Sequence, residues 1–238
     1  MRLFNFRQGN QRRLGVNVDR LFYDVTNLGD LQAGSILEFL RLPDDDRREF
    51  QRRIEEETDS LIQLATEKIR YLSVVEPASK FICIGQNYSD HCREQGVDPP
   101  DKPIMFVKMA NALAGHGDSI PVPATTTAVD FEVELAVVIG RSCHRVTRED
   151  ALDYVAGYTV VNDVTARDHQ KSDGQWVRGK SLDRFGPNGP FLVTPDEIDD
   201  PEARAAIAPL LQERPLGFPS EQHTSSTEKP QRSPSDDR

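Results

Sequence analysis

Cysteine is scarce and unpaired: Cys83, Cys92 and Cys143 are an odd number, with no metal-type spacing among them. That argues against a disulfide scaffold and fits a reducing compartment. No run approaches the roughly 18–20 consecutive apolar residues of a membrane helix, so no membrane span is expected. Positive charge is in deficit as well, with 29 Lys and Arg against 39 Asp and Glu, a formal net charge of −10 and a pI near 5.0. No basic cluster is long enough to track a phosphate backbone, so no nucleic-acid partner is expected. An acidic chain does not attract small anions by its overall field, so an anionic substrate has to be captured by local cations. What remains is 238 residues, 37% of them hydrophobic, enough for one ordinary domain with an appendage.

The first 18 residues contain Arg2, Arg7, Arg12 and Arg13 with no acid before Asp19, a composition like that of a mitochondrial presequence. The apolar alternation in residues 1–6 and 14–18, around Gln8-Gly9-Asn10, is the stronger signal. Together with residues 21–25 it predicts a small antiparallel sheet. Residues 44–69 open with three aspartates and place Phe50, Ile54, Leu61 and Ala65 at near-helical spacing, which predicts an amphipathic helix with a solvated charged face. Glu76-Pro77 then reads as an extended linker. Residues 1–75 are accordingly read as an N-terminal subdomain, residues 76–200 as the main domain, and residues 201–238 as a tail. The tail is rich in Pro, Ser and charge and is expected to be disordered.

The main domain is organised by Asp130-Phe131-Glu132-Val133-Glu134-Leu135-Ala136-Val137-Val138-Ile139-Gly140. Its aliphatic run predicts a buried strand, in which Glu132 and Glu134 share a face. Two desolvated like charges need a cation between them. A second strand, residues 154–163, ends at a third carboxylate, Asp163. Three oxygen donors without histidine or cysteine at ligand spacing suit Mg²⁺, with Mn²⁺ or Ca²⁺ as alternatives, rather than zinc. Residues 80–85 and 104–107 read as short strands, and a brief helix before Gly96 places His91 and Glu94 on one face. A helix from Thr165 would put Arg167 and Gln170 on one face. Cys92 and Trp176 are read as packing residues. Lys108, at a strand end, reads equally well as solvated or as substrate-contacting.

Four stretches in order carry a resemblance: Ile-Gly-Gln-Asn-Tyr-Ser-Asp-His (84–91), Val-Asp-Phe-Glu-Val-Glu-Leu-Ala-Val-Val-Ile-Gly (129–140), Asn-Asp-Val-Thr-Ala-Arg-Asp (162–168) and Arg-Gly-Lys-Ser-Leu-Asp (178–183). Over roughly residues 75–200 the chain resembles the catalytic domain of the fumarylacetoacetate hydrolase family. Its opening residues most resemble the branch associated with oxaloacetate tautomerisation. The resemblance implies an α+β, mostly β fold: a mixed β-roll or barrel-like catalytic domain, here incomplete, beside the small N-terminal α/β subdomain. It implies metal ligands Glu132, Glu134 and Asp163, and a His91–Glu94 dyad activating water. Lys180 would be an active-site cation, and Arg167 and Gln170 would anchor a small anionic oxo acid.

Tautomerisation, decarboxylation and C–C hydrolysis all remain open, because each can pass through an enolate. The resemblance further implies a homodimer and a mitochondrial location, with the cytoplasm as the alternative. Asn188 departs from the family's Cys-Pro-Leu-Gly-Pro pattern. The family's later strands and Thr-Gly-Thr-Pro segment have no counterpart after residue 200, so weak or absent activity in a shortened chain is expected.

Overall fold

The computed structural model describes residues 1–147 and 149–198; the predicted tail, residues 201–238, lies outside them. The N-terminal part contains β1 (Arg2–Gln8), β2 (Gln11–Val18), β3 (Leu21–Asp24), β4 (Asn27–Leu28), β5 (Leu31–Gln32), α1 (Ile36–Arg41), α2 (Asp44–Glu56), β6 (Ile62–Gln63) and β7 (Arg70–Tyr71). Then come β8 (Ile82–Gly85), α3 (Ser89–Gln95), β9 (Ile104–Val107), β10 (Leu113–Gly115), β11 (Val129–Asp130), β12 (Val133–Ile139) and β13 (Val155–Asn162). The described chain closes with β14 (Thr165–Ala166), α4 (Arg167–Asp173), α5 (Val177–Lys180), β15 (Gly186–Asn188) and β16 (Leu192–Val193). No helix among these residues is long and apolar enough to cross a membrane.

The expected N-terminal sheet is present, with β1 and β2 antiparallel around Gly9, whose φ of +58 is the left-handed turn that glycine allows. The arginines that resemble a presequence serve this sheet, for example through Arg13 Nε bonding Asp24 Oδ2 at 2.5 Å. The main core lies between the sheet and the two helices, where Leu3, Leu14 and Val16 meet Ile36, Phe39 and Phe50. Helix α2 is shorter than the spacing predicts. Thr58 bonds back to the Ile54 carbonyl and a 3₁₀ turn spans Thr58–Ser60, so Leu61 and Ala65 lie past the helix end. Local side-chain bonding by such residues competes with helix continuation.

Ten strands form one sheet in the order β10-β15-β13-β16-β1-β2-β3-β6, with β12 along β13 and β7 along β1. The sheet crosses the sequence division at residue 76 where β16 pairs with β1, Leu192 opposite Leu3. The segment from Phe185 to Pro190 contains β15, which runs parallel to β10. Asn188 holds it there. Its Oδ1 accepts from Val74 N–H at 2.8 Å and Ser73 Oγ at 3.0 Å, while Nδ2 donates to the Ala114 and Gly186 carbonyls.

Strand β12 is not fully buried as its aliphatic run predicts. It pairs with β13 in antiparallel register, Glu134 opposite Val161, but Val133, Val137 and Ile139 are exposed and Phe131 is 70% exposed. Its other face, carrying Glu134, Ala136 and Val138, turns inward, and Val138 packs against the main core. A strand of apolar residues covered on one face only cannot be told from a fully buried one by hydropathy.

Candidate active site

Glu132 and Asp163 are set opposite each other by the β12–β13 ladder. Asp163 N–H bonds the Glu132 carbonyl at 2.8 Å, and Glu132 N–H bonds Asn162 Oδ1 at 3.1 Å. The predicted shared face for Glu132 and Glu134 follows from their two-residue spacing, although Glu132 lies just before β12. The same alternation includes Asp130, which the sequence reading passed over.

Helices α4 and α5 deliver the cations. Arg167 opens α4 and donates through Nε to Asp130 Oδ2 at 2.9 Å, through Nη2 to Glu132 Oε1 at 2.7 Å, and through Nη1 to Gln170 Oε1 at 3.0 Å. Arg167 and Gln170 thus share one helix face, as their spacing predicts. Lys180 ends α5 and is only 2% exposed. Its position depends on Gly179, where a Cβ would lie 2.8 Å from both the Ala166 carbonyl oxygen and the Gln170 nitrogen. Its ammonium donates to Asp163 Oδ2 at 2.7 Å and also bonds Glu132 Oε2, and it sits 5.0 Å from the centre of the Phe106 ring.

Lys108 is not the solvated lysine of the first of its two readings. Its ammonium is fully enclosed, donating to Asp163 Oδ1 at 2.6 Å and to the Val164 carbonyl at 3.2 Å. Burial pulls its pKa below the usual lysine value, and the Asp163 carboxylate opposes that fall. Nothing local in the sequence marks this lysine, because its partner is 55 residues away.

The three expected metal ligands differ in how their charge is met. Burial alone would raise Glu132, but Lys180 and Arg167 outweigh it and hold the carboxyl below its usual range. Glu134 goes the other way. Burial first, then the adjacent Glu132 and Asp163 carboxylates, push it up to about 7. Among the described residues no three His, Cys, Asp or Glu groups are gathered closely enough to hold a metal ion. The expected triad is therefore not closed, because the Lys180 ammonium bridges Glu132 and Asp163. The donor set nevertheless fits a hard dication, since all three groups are carboxylates and, among the described residues, no cation forms an ion pair with Glu134.

The His91–Glu94 dyad is not formed. In α3 the His91 ring accepts from the Gln95 amide, and Glu94 is exposed. Helical neighbours at i+3 and i+4 compete for the same imidazole, and Gln95 has taken it. Cys92 is buried, as expected of a packing residue. Trp176 is only half-buried, packing edge-on against Phe106 and beneath Gly85. Cys83, on β8, feels the charges of the site; burial first, then Asp163, push its thiol up to about 12, which leaves it a neutral packing group.

A family model described as fumarylacetoacetate (FAA) hydrolase C-terminal matches residues 80–215, further along the chain than the boundary near residue 200 read from the motifs. The chain is similar to a mitochondrial oxaloacetate tautomerase of Xenopus laevis, 48% identical over 140 residues, which make up 58% of this chain and 44% of that protein. It spans about half the length of the curated relatives it matches. Among solved structures it is similar to a fumarylacetoacetate hydrolase of Exiguobacterium antarcticum, 36% identical with a TM-score of 0.68, covering 84% of this chain and 68% of that one. It is also similar to a maleylpyruvate hydrolase of Sphingobium solved with manganese(II) ion and pyruvate, 29% identical with a TM-score of 0.67, covering 84% of this chain and 70% of that one. With a family match over more than half its residues, on a mostly β fold and a carboxylate–lysine cluster carried by the matched segment, the chain belongs to the fumarylacetoacetate hydrolase family.

Proposed function

We propose that this chain carries the catalytic part of a divalent-metal-dependent enzyme of small 2-oxo acids, whose reaction is the keto–enol tautomerisation of oxaloacetate. The observation that carries the reading is the convergence of Glu132, Glu134 and Asp163 with Lys180 and Arg167, in which, among the described residues, Glu134 alone has no cation bonded to it. Glu132, Glu134 and Asp163 would hold Mg²⁺, or Mn²⁺ or Ca²⁺ in its place. Such an ion supplies Lewis acidity toward the oxygens of a 2-oxo acid. The named activity of the Xenopus relative supports oxaloacetate as substrate, and the manganese and pyruvate of the Sphingobium relative support a metal and an oxo acid. The name of the Xenopus protein also supports a mitochondrial location.

The chain's own groups have defined tasks in this reading. Arg167 presents a planar fork suited to a carboxylate, and Gln170 orients it by accepting one of its N–H groups. Lys180, in a nearly water-free setting, offsets negative charge developing on the substrate oxygens as the C3 proton leaves. Loss of a proton from C3 and return of one to the carbonyl oxygen interconvert the keto and enol forms with no net change in composition.

The test is the absorbance decay of enol oxaloacetate with added Mg²⁺ or Mn²⁺, for the wild type, Lys180→Met and His91→Ala. His91→Ala is expected to suppress acylpyruvate cleavage by roughly 10²–10⁴-fold, the scale of general-base removal, and tautomerisation less. Wild-type turnover no faster than the uncatalysed rate would remove the reading. Cleavage of an acylpyruvate by a chain inert toward oxaloacetate would replace it with a C–C hydrolase.

A further inference from the structure

Strands β8 and β9 form a two-stranded sheet of their own, so side chains rather than a shared ladder seat this hairpin against the site. Its apolar residues alternate. Ile82, Ile84, Met105 and Val107 are exposed, while Phe106, opposite Cys83, takes the other face. Two residues on, Lys108 falls on the same side as Phe106 and bonds Asp163 Oδ1 at 2.6 Å. Just beyond, the chain is tied to the residue that follows Lys180: Met109 N–H donates to Ser181 Oγ at 3.1 Å and Asn111 Nδ2 to the Ser181 carbonyl at 3.0 Å. The Phe106 ring therefore meets both ends of α5. The Lys180 ammonium lies over the ring, 5.0 Å from its centre, and the Trp176 ring meets it edge-on with centres 5.4 Å apart. Trp176 directly precedes α5, and its carbonyl accepts the Lys180 N–H at 3.0 Å.

We propose that Phe106 is a positioning residue for Lys180, its ring face holding the ammonium in place beside Glu132 and Asp163. The proposal rests on the reading of Lys180 as the cation that offsets negative charge on the substrate. An ammonium has three hydrogens. Two of them go to Glu132 Oε2 and Asp163 Oδ2. A ring face attracts the whole charge through its quadrupole, so it fixes the group without claiming the third hydrogen, which stays for a substrate oxygen. A leucine in its place would fill much of the space and attract nothing. Because Lys180 is 2% exposed, water screens the attraction little.

Urea unfolding of the full chain in chelator tests the contact without activity, for the wild type, Phe106→Leu, Lys180→Met and the double variant. The coupling expected between the two changes is roughly five- to thirtyfold in the unfolding equilibrium constant, the range of a desolvated cation–ring pair. Effects that multiply to within about twofold would overturn the proposal. Should a variant lacking Lys180 not fold, mono- and trifluorinated phenylalanine at position 106 decide instead. They keep the ring's shape while draining charge from its face, so stability is expected to fall stepwise with fluorination, and equal stability along the series would overturn the proposal.

The second arm is the enol oxaloacetate assay with Mn²⁺. Phe106→Leu is expected to lower kcat by about three- to thirtyfold with KM little changed, as befits a cation misplaced for the transition state. In the Lys180→Met background the same change is expected to have no further effect. An undiminished kcat in Phe106→Leu, or an equal loss with Lys180 already removed, would overturn the positioning role. A wild type inert toward oxaloacetate would sink the proposed reaction and leave the unfolding result to decide on Phe106.

Discussion

Replacing Glu134 by glutamine is expected to stabilise the metal-free protein at alkaline pH, the opposite of what deleting a buried charged group usually does. The carboxyl releases its proton near 4.5 in the unfolded chain but only at about 7 in the folded one. Between those values the folded state binds more protons than the unfolded state, so stability falls as pH rises through the window, and the penalty is complete above pH 7. At about 1.36 kcal/mol per pH unit the gap is worth roughly 3 kcal/mol. Solvent reaches part of the side chain, and screening reduces this to about 1–2 kcal/mol. Glu134→Gln keeps the shape and removes the charge. In chelator at pH 8 it should raise the melting temperature by about 3–6 °C for a chain of this size, and at pH 4.5 it should change little. Added Mn²⁺ should reverse the order, stabilising the wild type far more than the variant. A variant equally shifted at both pH values, or less stable at pH 8, would show that burial and the neighbouring Glu132 and Asp163 do not burden Glu134.

Three further outcomes follow from the same contacts. Ion binding should release close to one proton per site at pH 6 and almost none at pH 8.5, since Glu134 must be ionised to ligate; calorimetry in buffers of different ionisation enthalpy reads this directly. Lys108→Met should destabilise by about 3–5 kcal/mol in urea unfolding, because it leaves Asp163 Oδ1 buried opposite an apolar chain, and a loss below about 1 kcal/mol would mean the pair is dispensable. Asn188→Ala should cost about 2–3 kcal/mol by orphaning the Val74 N–H and the Ala114 carbonyl, and wild-type stability in that variant would show that water replaces the amide.

What the sequence determined by itself is the local part of this protein. Alternation of period two placed β1 and β2, aliphatic runs placed β12 and β13, and two-residue spacing put Glu132 and Glu134 on one face, because strand geometry acts residue by residue. Helical spacing likewise brought Arg167 and Gln170 together, and the ordered motifs were enough to assign the family. The tertiary structure decided whatever depends on partners distant in the chain. It paired Leu192 with Leu3, enclosed Lys108 beside Asp163, made Asn188 the clamp of β15 and left one face of β12 open. It also gave His91 to Gln95 rather than to Glu94. Hydropathy and spacing describe what a residue can do within its own element. Which side chain meets an ammonium, a carboxylate or water is fixed by sheet order and by packing between segments, which local pattern does not encode.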